Sequence, residues 1–464
     1  MEDSINYSDV CFSLEDVLEA TGGILIHPCE RNILFNGVLI DSRMCKPGSL
    51  FIAIKGNNFD GHIFVRDAVS SGCTGAIVCR DVSVQAPCAL IKTDDTRKAL
   101  GMLARFHRER FTVPVVAITG SCGKTTTKEM SARCLEYSGP VLKTPGTCNN
   151  DIGLPLTLLG LTPSYKNVVL ELGINRPGET RYLTGICKPT IAVLTNIGKA
   201  HIGFFGSVYN VRKEKSSLLE SLSAGASAVL PFCEDGVIKL ARLLNINFKT
   251  FGENSLSDFY PSDITESSEK IDFKLNGKYD VSLKLCGRHN VLNACAAAAV
   301  SSLLGIEEKV FCSSVSDMAP LPLRLKWENI RGVNFLMDCY NSNPDAVHVA
   351  IEVFKQKECK GRRIIILGDM KELGRFSKSF HINVGRRIAK QDIDFLITVG
   401  KAAKFIAQSA KDGIPFKKIF CVDDISSTSK ILSEIIKPGD CVLIKGSRTI
   451  RMERILKCFI TSGN

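Results

Sequence analysis

The stretch VPVVAITGSCGKTTTKEM, residues 113–130, constrains the fold more than any other part of this chain. An apolar run reaches Ile118, a turn containing Gly120 and Gly123 follows, and Lys124, Thr125 and Thr126 lead into a helical pattern. A buried strand that feeds a glycine turn and then a helix implies a parallel sheet with helices packed on its faces. The turn is also chemically marked. Its backbone N–H groups, with those of the helix N-terminus, form a cradle for an anion. Gly120 and Gly123 allow dihedrals and a close approach that a side chain would block. Lys124 is placed to reach outer phosphates as a point charge, and Thr125 to ligate Mg²⁺ through its hydroxyl. The usual spacing G-x-x-x-x-G-K-[ST] is not met, because position 118 is Ile118 and the first glycine is Gly120. The competing reading is an ordinary strand–turn–helix with no ligand.

At 464 residues the chain exceeds one core, and its size implies roughly three domains. Hydrophobic residues at 45% and charged residues at 23% are ordinary for a globular protein in water. The net charge of +11 suits acidic small molecules, nucleic acid or an anionic surface. The basic residues are scattered, and the densest cluster, KQKECKGRR (355–363), is short and lacks interleaved aromatics. A solvated surface is therefore expected there, and no nucleic-acid partner. The 19 cysteines include no C-x-x-C pair, and many lie in apolar runs, so they are expected as reduced, buried thiols. The opening MEDSINYSDV is acidic and polar, unlike a signal peptide, and no apolar run reaches the ~18 residues of a membrane span. A cytoplasmic monomer is expected.

The chain pass predicts an α/β protein of three domains. Residues 1–94 form a small α/β domain with strands in GVLIDSR, SLFIAIKG and GAIVC, and a helix in HIFVRDAVSSG ended by Gly72. Residues 95–318 form a central, P-loop ATPase-like parallel sheet, entered by a helix capped by Asp95. Its further strands are NVVLEL, IAVLTNI and ASAVLPF. It carries an antiparallel appendage, because Ile271, Phe273 and Leu275 alternate up to Asn276-Gly277, and Val281, Leu283 and Leu285 follow. The prolines of MAPLPLRLKW mark a linker. Residues 319–464 then read as a Rossmann-like sheet, with strands NFLMDCY, RRIIILGD, FLITVG, KIFCV and DCVLIKG each followed by a helix. It lacks G-x-G-x-x-G, so no dinucleotide is indicated.

Several side chains stand out before any resemblance is considered. Glu171 ends an apolar strand at the edge where open α/β sheets bind ligands, and is either a salt-bridged core carboxylate or a ligand of a hard cation. His201 is a structural histidine or a metal ligand. Lys215, in the amphipathic VRKEKSSLLESL, reads as a solvated surface residue, and Asn290 as a helix cap. Lys445 and Arg448, after the last strand, read as a carboxylate or phosphate site or as a solvated pair.

TGSCGKTT resembles the shortened phosphate loop of the Mur ligases and folylpolyglutamate synthases, ATP-dependent carboxylate–amine ligases of three domains. LELG, TNIGKAHIGFFGS, GRHNVLNACAA, LPLRLKW, DCYNSNPDA, LGDMKELG and LIKGSR are similar to further blocks of that family, in the family's order. TPGTCNNDIGLPLTLL, GDMKELG and KGSR resemble the branch that adds D-alanyl-D-alanine to UDP-N-acetylmuramoyl-tripeptide. The D-N-P-R-type motif of the sister branch is replaced by YNSNPDA, and Thr147 stands where the family has an asparagine.

The resemblance implies ATP at Gly120, Ser121, Cys122, Gly123, Lys124, Thr125 and Thr126, with catalytic roles for Lys124, Glu171, His201 and Lys215. It implies two Mg²⁺ ions on Thr125, Glu171, His201 and Lys215, the last carbamylated. His289 and Asn290 would face the adenosine, with Arg324 and Asp338 reaching the nucleotide from the third domain. Ser42 and Arg43 would bind the uridine diphosphate, and Asn149, Asn150, Tyr340, Asn341, Lys445 and Arg448 the rest of the substrates. The expected reaction runs through an acyl phosphate. Alternatives are a sister ligase or folylpolyglutamate synthase with the same ATP chemistry, or a non-catalytic nucleotide switch.

Overall fold

A computed structural model describes residues 10–27, 32–56, 59–84 and 87–461. The polar opening segment up to residue 9 lies outside them. The chain forms three sheet units in sequence order, with one buried cluster running from the first unit into the central one and others within the first, central and third units.

The first sheet has strand order Ile24–Leu25, Ala89–Lys92, Gly75–Val78, Leu50–Ile52 and Val38–Leu39, antiparallel only at the first pair. GVLIDSR is less extended than its composition suggests. Only Val38–Leu39 pairs, because the Asp41 side chain accepts from the Arg43 N–H and winds Ser42–Met44 into a 3₁₀ turn. Asp95 caps the helix Thr96–Glu109, accepting from the Arg97 and Lys98 N–H groups.

The central sheet is parallel throughout, in the order Asn247–Phe251, Ser227–Pro231, Ile191–Leu194, Val115–Thr119, Asn167–Glu171, Val141–Lys143. The sheet reverses its build direction at Val115–Thr119, since later strands were added on one side and then on the other. Ligands of open α/β sheets bind at such a switch point, outside the carboxyl ends of the strands. The register sets Glu171 opposite Ile118 and Leu194 opposite Thr119, so three strand ends meet at the phosphate loop. Helices Lys124–Leu135 and His289–Leu303 pack together over one face, with Met130, Ala294 and Ala298 in a shared cluster.

The predicted appendage is present, and Asn276 (φ 54°) and Gly277 (φ 68°) take the paired positive φ of its turn. A third strand, Pro261–Glu266, joins it. The third sheet runs Lys326–Ile330, Val333–Asp338, Cys441–Lys445, Arg363–Gly368, Phe395–Val399, Ile419–Val422. Its first strand is antiparallel, in a stretch whose beginning was expected as linker. Arg331 and Gly332, both at positive φ, close the hairpin. Among the described residues no helix is long and apolar enough to cross a membrane. No disulfide joins the described cysteines, but Cys11, Cys148, Cys233, Cys421 and Cys458 are exposed, so burial accounts for only part of them.

Candidate active site

Two glycines shape the phosphate loop for steric reasons. A Cβ on Gly120, whose φ is 153°, would lie 1.8 Å from Thr195 Oγ1. On Gly123, at φ 80°, it would lie 2.2 Å from Asn293 Oδ1. The loop is therefore clamped between the exit of Ile191–Leu194 and the helix His289–Leu303. Hydrogen bonds fix it further. The Cys122 N–H donates to Asn196 Oδ1 at 2.9 Å, the Thr195 hydroxyl donates to the Cys122 carbonyl at 2.6 Å, and the Gly198 N–H donates to Ser121 Oγ at 2.8 Å. Such a loop is preorganised rather than shaped by its ligand. Ile118 is fully buried and completes the strand.

Two ammonium groups converge on one carbonyl. Lys124 Nζ donates to the Gly120 oxygen at 3.0 Å and Lys215 Nζ at 3.2 Å. Lys215 is 2% exposed, which corrects its reading as a surface residue. Helix Val208–Glu220 buries Val211, Lys215, Leu218 and Leu219 along one face, and a lysine occupies a position that its period assigns to the interior. Burial, reinforced by the Lys124 charge, pushes the Lys215 amine down to about 7.

Glu171, also 2% exposed, accepts from the Thr125 hydroxyl at 2.6 Å and from Asn149 Nδ2 at 2.8 Å. Its own N–H donates to Thr144 Oγ1 at 2.9 Å. Among the described residues it has no ion-pair partner, so it is not a salt-bridged core carboxylate. No three His, Cys, Asp or Glu residues gather into a metal cage among the described residues. Mg²⁺ needs none, since it is held by one or two carboxylates with waters and phosphate oxygens. The Thr125 hydroxyl and the Glu171 carboxylate are hard oxygen donors that fit it.

His201 stands at φ 57° before the short helix Ile202–Phe205, with Nδ1 2.5 Å from Glu372 Oε2. The His201 contact holds the Glu372 carboxyl below its usual range. Glu372 belongs to the third sheet unit, which also reaches the loop elsewhere. Arg324 Nη2 donates to Thr125 Oγ1 at 2.8 Å, and its guanidinium lies 4.0 Å from the centre of the Tyr340 ring. Burial raises the proton affinity of the Tyr340 hydroxyl, which lies beside Thr147. Asn343 Nδ2 approaches Cys122 Sγ at 3.6 Å, and Lys199 pairs with Asp345.

Three family descriptions match along the chain: Mur ligase family, catalytic domain, over residues 34–108, Mur ligase middle domain over 118–301, and Mur ligase, glutamate ligase domain over 323–448. The UDP-N-acetylmuramoyl-tripeptide--D-alanyl-D-alanine ligase of Bacillus subtilis is 32% identical over 455 residues, 97% of this chain and 98% of the relative. This chain belongs to the Mur ligase family. Among solved structures, MurF from Acinetobacter baumannii superposes with a TM-score of 0.88 at 31% identity, covering 98% of this chain and all of that one. MurF from Thermotoga maritima in complex with ADP gives 0.80 at 30% identity, covering 91% and 97%.

In this Mur ligase the expected residues fall into two groups. Lys124, Thr125, Glu171, Lys215, Asn149, Arg324, Tyr340 and the loop form one connected network. The others are engaged elsewhere. Lys445 is buried, donating to Asp338 Oδ2 at 2.6 Å, to the Asn341 carbonyl at 2.9 Å and to the Asp338 carbonyl at 3.5 Å. It is thus neither solvated nor free, and it braces the turn that presents Tyr340. Asn341 accepts from the Ser342 N–H, and the half-exposed Arg448 pairs with Glu453 at 2.5 Å. Asn150 accepts from the Ile152 and Gly153 N–H groups at the start of Gly153–Leu159. Asn290 lies within the first helical turn rather than at the cap, and donates to the Cys286 carbonyl at 2.7 Å. Burial holds its neighbour His289 neutral, down to about 4. Thr126 is buried in the helix behind the loop. Ser42 and Arg43 sit beyond Val38–Leu39 on the first sheet, with Arg43 exposed and paired to Asp41 at 2.5 Å. Sequence reading missed Glu372 and Asn293, although both lie inside blocks it had singled out.

Proposed function

We propose that this Mur ligase joins D-alanyl-D-alanine to UDP-N-acetylmuramoyl-tripeptide at the expense of ATP, in peptidoglycan precursor synthesis. The observation that carries it is full-length likeness to a relative of that printed activity, across all three sheet units.

A carboxylate and an amine do not condense unaided in water. A carboxylate oxygen of the tripeptide attacks the γ-phosphorus, the bond to the β-phosphate oxygen breaks, and ADP leaves. The amine of D-alanyl-D-alanine then attacks the carbonyl carbon of the acyl phosphate, inorganic phosphate departs, and the amine loses a proton to water. In the first half, positioning and charge neutralisation supply most of the rate. The N–H groups of Gly123, Lys124, Thr125 and Thr126 cradle the phosphates, in a loop that the Ser121 and Cys122 N–H groups pin to Asn196, and Lys124 turns from the Gly120 carbonyl to the outer phosphate. Thr125 and Glu171 would hold one Mg²⁺, and His201 with Lys215 a second. Bound metal supplies neutralisation of the phosphoryl charge.

Carbamylation of Lys215 belongs to this reading. A neutral amine adds to the carbon of CO₂, forms an N–C bond and releases a proton, leaving a carbamate anion. An amine pushed down to about 7 is available for that step near neutral pH. The product places an anionic oxygen donor beside Lys124 where an amine stood. His289, Asn290 and Asp338 face the adenosine side. Ser42 and Arg43 take the uridine diphosphate, and Asn149, Asn150, Tyr340, Asn341 and Arg448 the peptide side. Lys445 acts through Asp338. The division into residues 1–94, 95–318 and 319–464, a monomeric state and a cytoplasmic location complete the proposal.

The test is phosphate release from ATP, Mg²⁺ and UDP-N-acetylmuramoyl-tripeptide, with and without D-alanyl-D-alanine. Release that depends on the dipeptide and is lost in Lys124→Ala is expected. Release indifferent to the dipeptide would sink the assignment, and sedimentation as a dimer would sink the monomer.

A further inference from the structure

We propose that Glu372 is a positioning residue for the ligation. From the third domain it fixes the ring of His201, so that the second metal position is complete only while the two domains are docked. The proposal rests on the assignment of His201 as a metal ligand made above.

Four independent features meet at this contact. The His201 Nδ1–Glu372 Oε2 distance is 2.5 Å, and His201 is only 12% exposed. Both residues are non-glycine and left-handed, at φ 57° and 64°. Such backbone strain persists only where surrounding structure imposes it. The Gly203 N–H donates to the Glu372 carbonyl at 2.9 Å, which ties the two turns together by main chain. The turns also touch where neither has a side chain. A Cβ on Gly203 would lie 2.4 Å from the Gly374 nitrogen, and one on Gly374 2.9 Å from Gly203 Cα.

Between them, Ile202 of the central unit inserts into the third unit's apolar cluster beside Met370 and Leu373. The segment that carries His201 is therefore seated in the other domain. The Glu372 side chain is itself 42% exposed, so as an ion pair alone the contact would contribute little, and its weight lies in the backbone devices around it. An imidazole ligand, by contrast, needs one ring nitrogen held so that the lone pair of the other faces the metal. Glu372 lies against Nδ1, which would leave Nε2 for the ion. The docked turn thus makes ligand geometry and domain closure one event.

The test counts bound Mn²⁺ by the electron paramagnetic resonance of the free ion. The full chain is titrated with a non-hydrolysable ATP analogue and UDP-N-acetylmuramoyl-tripeptide present, and kcat and KM are measured in parallel with Mg²⁺. Two ions are expected in the parent. In Glu372→Ala one of them should weaken by about 10–100-fold, kcat should fall by a similar factor, and KM for both peptide substrates should stay constant. Glu372→Asp should recover part of both losses. Gly203→Ala, which keeps both side chains but pushes the turns apart, should reproduce them, with melting curves reporting that each variant folds. Two ions at parental affinity in Glu372→Ala would overturn the role of Glu372, whether or not kcat fell. A single ion in the parent would overturn the two-metal site and this proposal with it.

Discussion

Lys215 and Lys124 share the Gly120 carbonyl, and two amines on one acceptor have to be separated or chemically changed when substrates arrive. Carbamylation does this, so activity should fall in buffer stripped of CO₂ and return with bicarbonate. Lys215→Ala should lose on the order of 100-fold in kcat, as expected for removal of a charged group that faces the phosphoryl transfer. Full activity of that variant in saturating Mg²⁺ would rule the modification out. A second residue gives a pH dependence of stability. His107 is buried, with Nε2 against the Leu161 carbonyl at 2.8 Å, and burial lowers its proton affinity. The unfolded chain then binds the proton more readily. The contribution of the neutral imidazole is fully present above about 6.5 and is lost as pH falls below that value. Urea midpoints at pH 7 and pH 5 should differ less in His107→Gln than in the parent. His289 and His381 are lowered too and will keep part of the slope. Lys215 also marks the limit of residue-level reading. A lysine on an amphipathic helix counts as polar face, and only the tertiary neighbours of Val208–Glu220 show that this one points inward.

At the scale of elements, the loop between Val115–Thr119 and Lys124–Leu135 should tolerate no side chain at its glycines. Gly123→Ala forces a Cβ onto Asn293 at positive φ, a strain of about 1–3 kcal/mol. It should weaken ATP binding in calorimetry while circular dichroism stays that of the parent. Asn276-Gly277 makes a milder case. Gly277→Val at φ 68° should cost roughly 1 kcal/mol, read as a lower urea midpoint. That turn, the parallel core strands and the third unit's strand–helix alternation were legible because the required residues are adjacent in sequence. Val141–Lys143, Asn247–Phe251, Pro261–Glu266 and Lys326–Ile330 were not. They are edge strands, short or partly polar, and partners supplied from elsewhere in the chain define them. The candidate site divides in the same way. Its loop and Glu171 follow from one strand and one turn, whereas Glu372, Asn293 and the Arg324–Thr125 bond exist only through long-range packing.

At the scale of the whole molecule, the third domain touches the phosphate loop through Arg324 and Asn343, and the segments beside it through Tyr340 at Thr147 and Asp345 at Lys199. Arg324→Ala removes both the Thr125 bond and the stacking on Tyr340. It should raise KM for ATP by about tenfold, the equivalent of one charged hydrogen bond, and enlarge the radius of gyration measured by X-ray scattering. An unchanged radius would show that docking does not depend on this arginine. Ile202 gives the same boundary a thermal character, because part of what holds the domains together is apolar burial. Attraction between an oily side chain and its pocket weakens as water is cooled, while charge pairing does not follow that rule. Docking of the two domains should therefore carry a negative heat-capacity change larger than a purely polar clamp would give, read from the temperature dependence of the scattering radius. The two domains should hold each other less firmly in the cold.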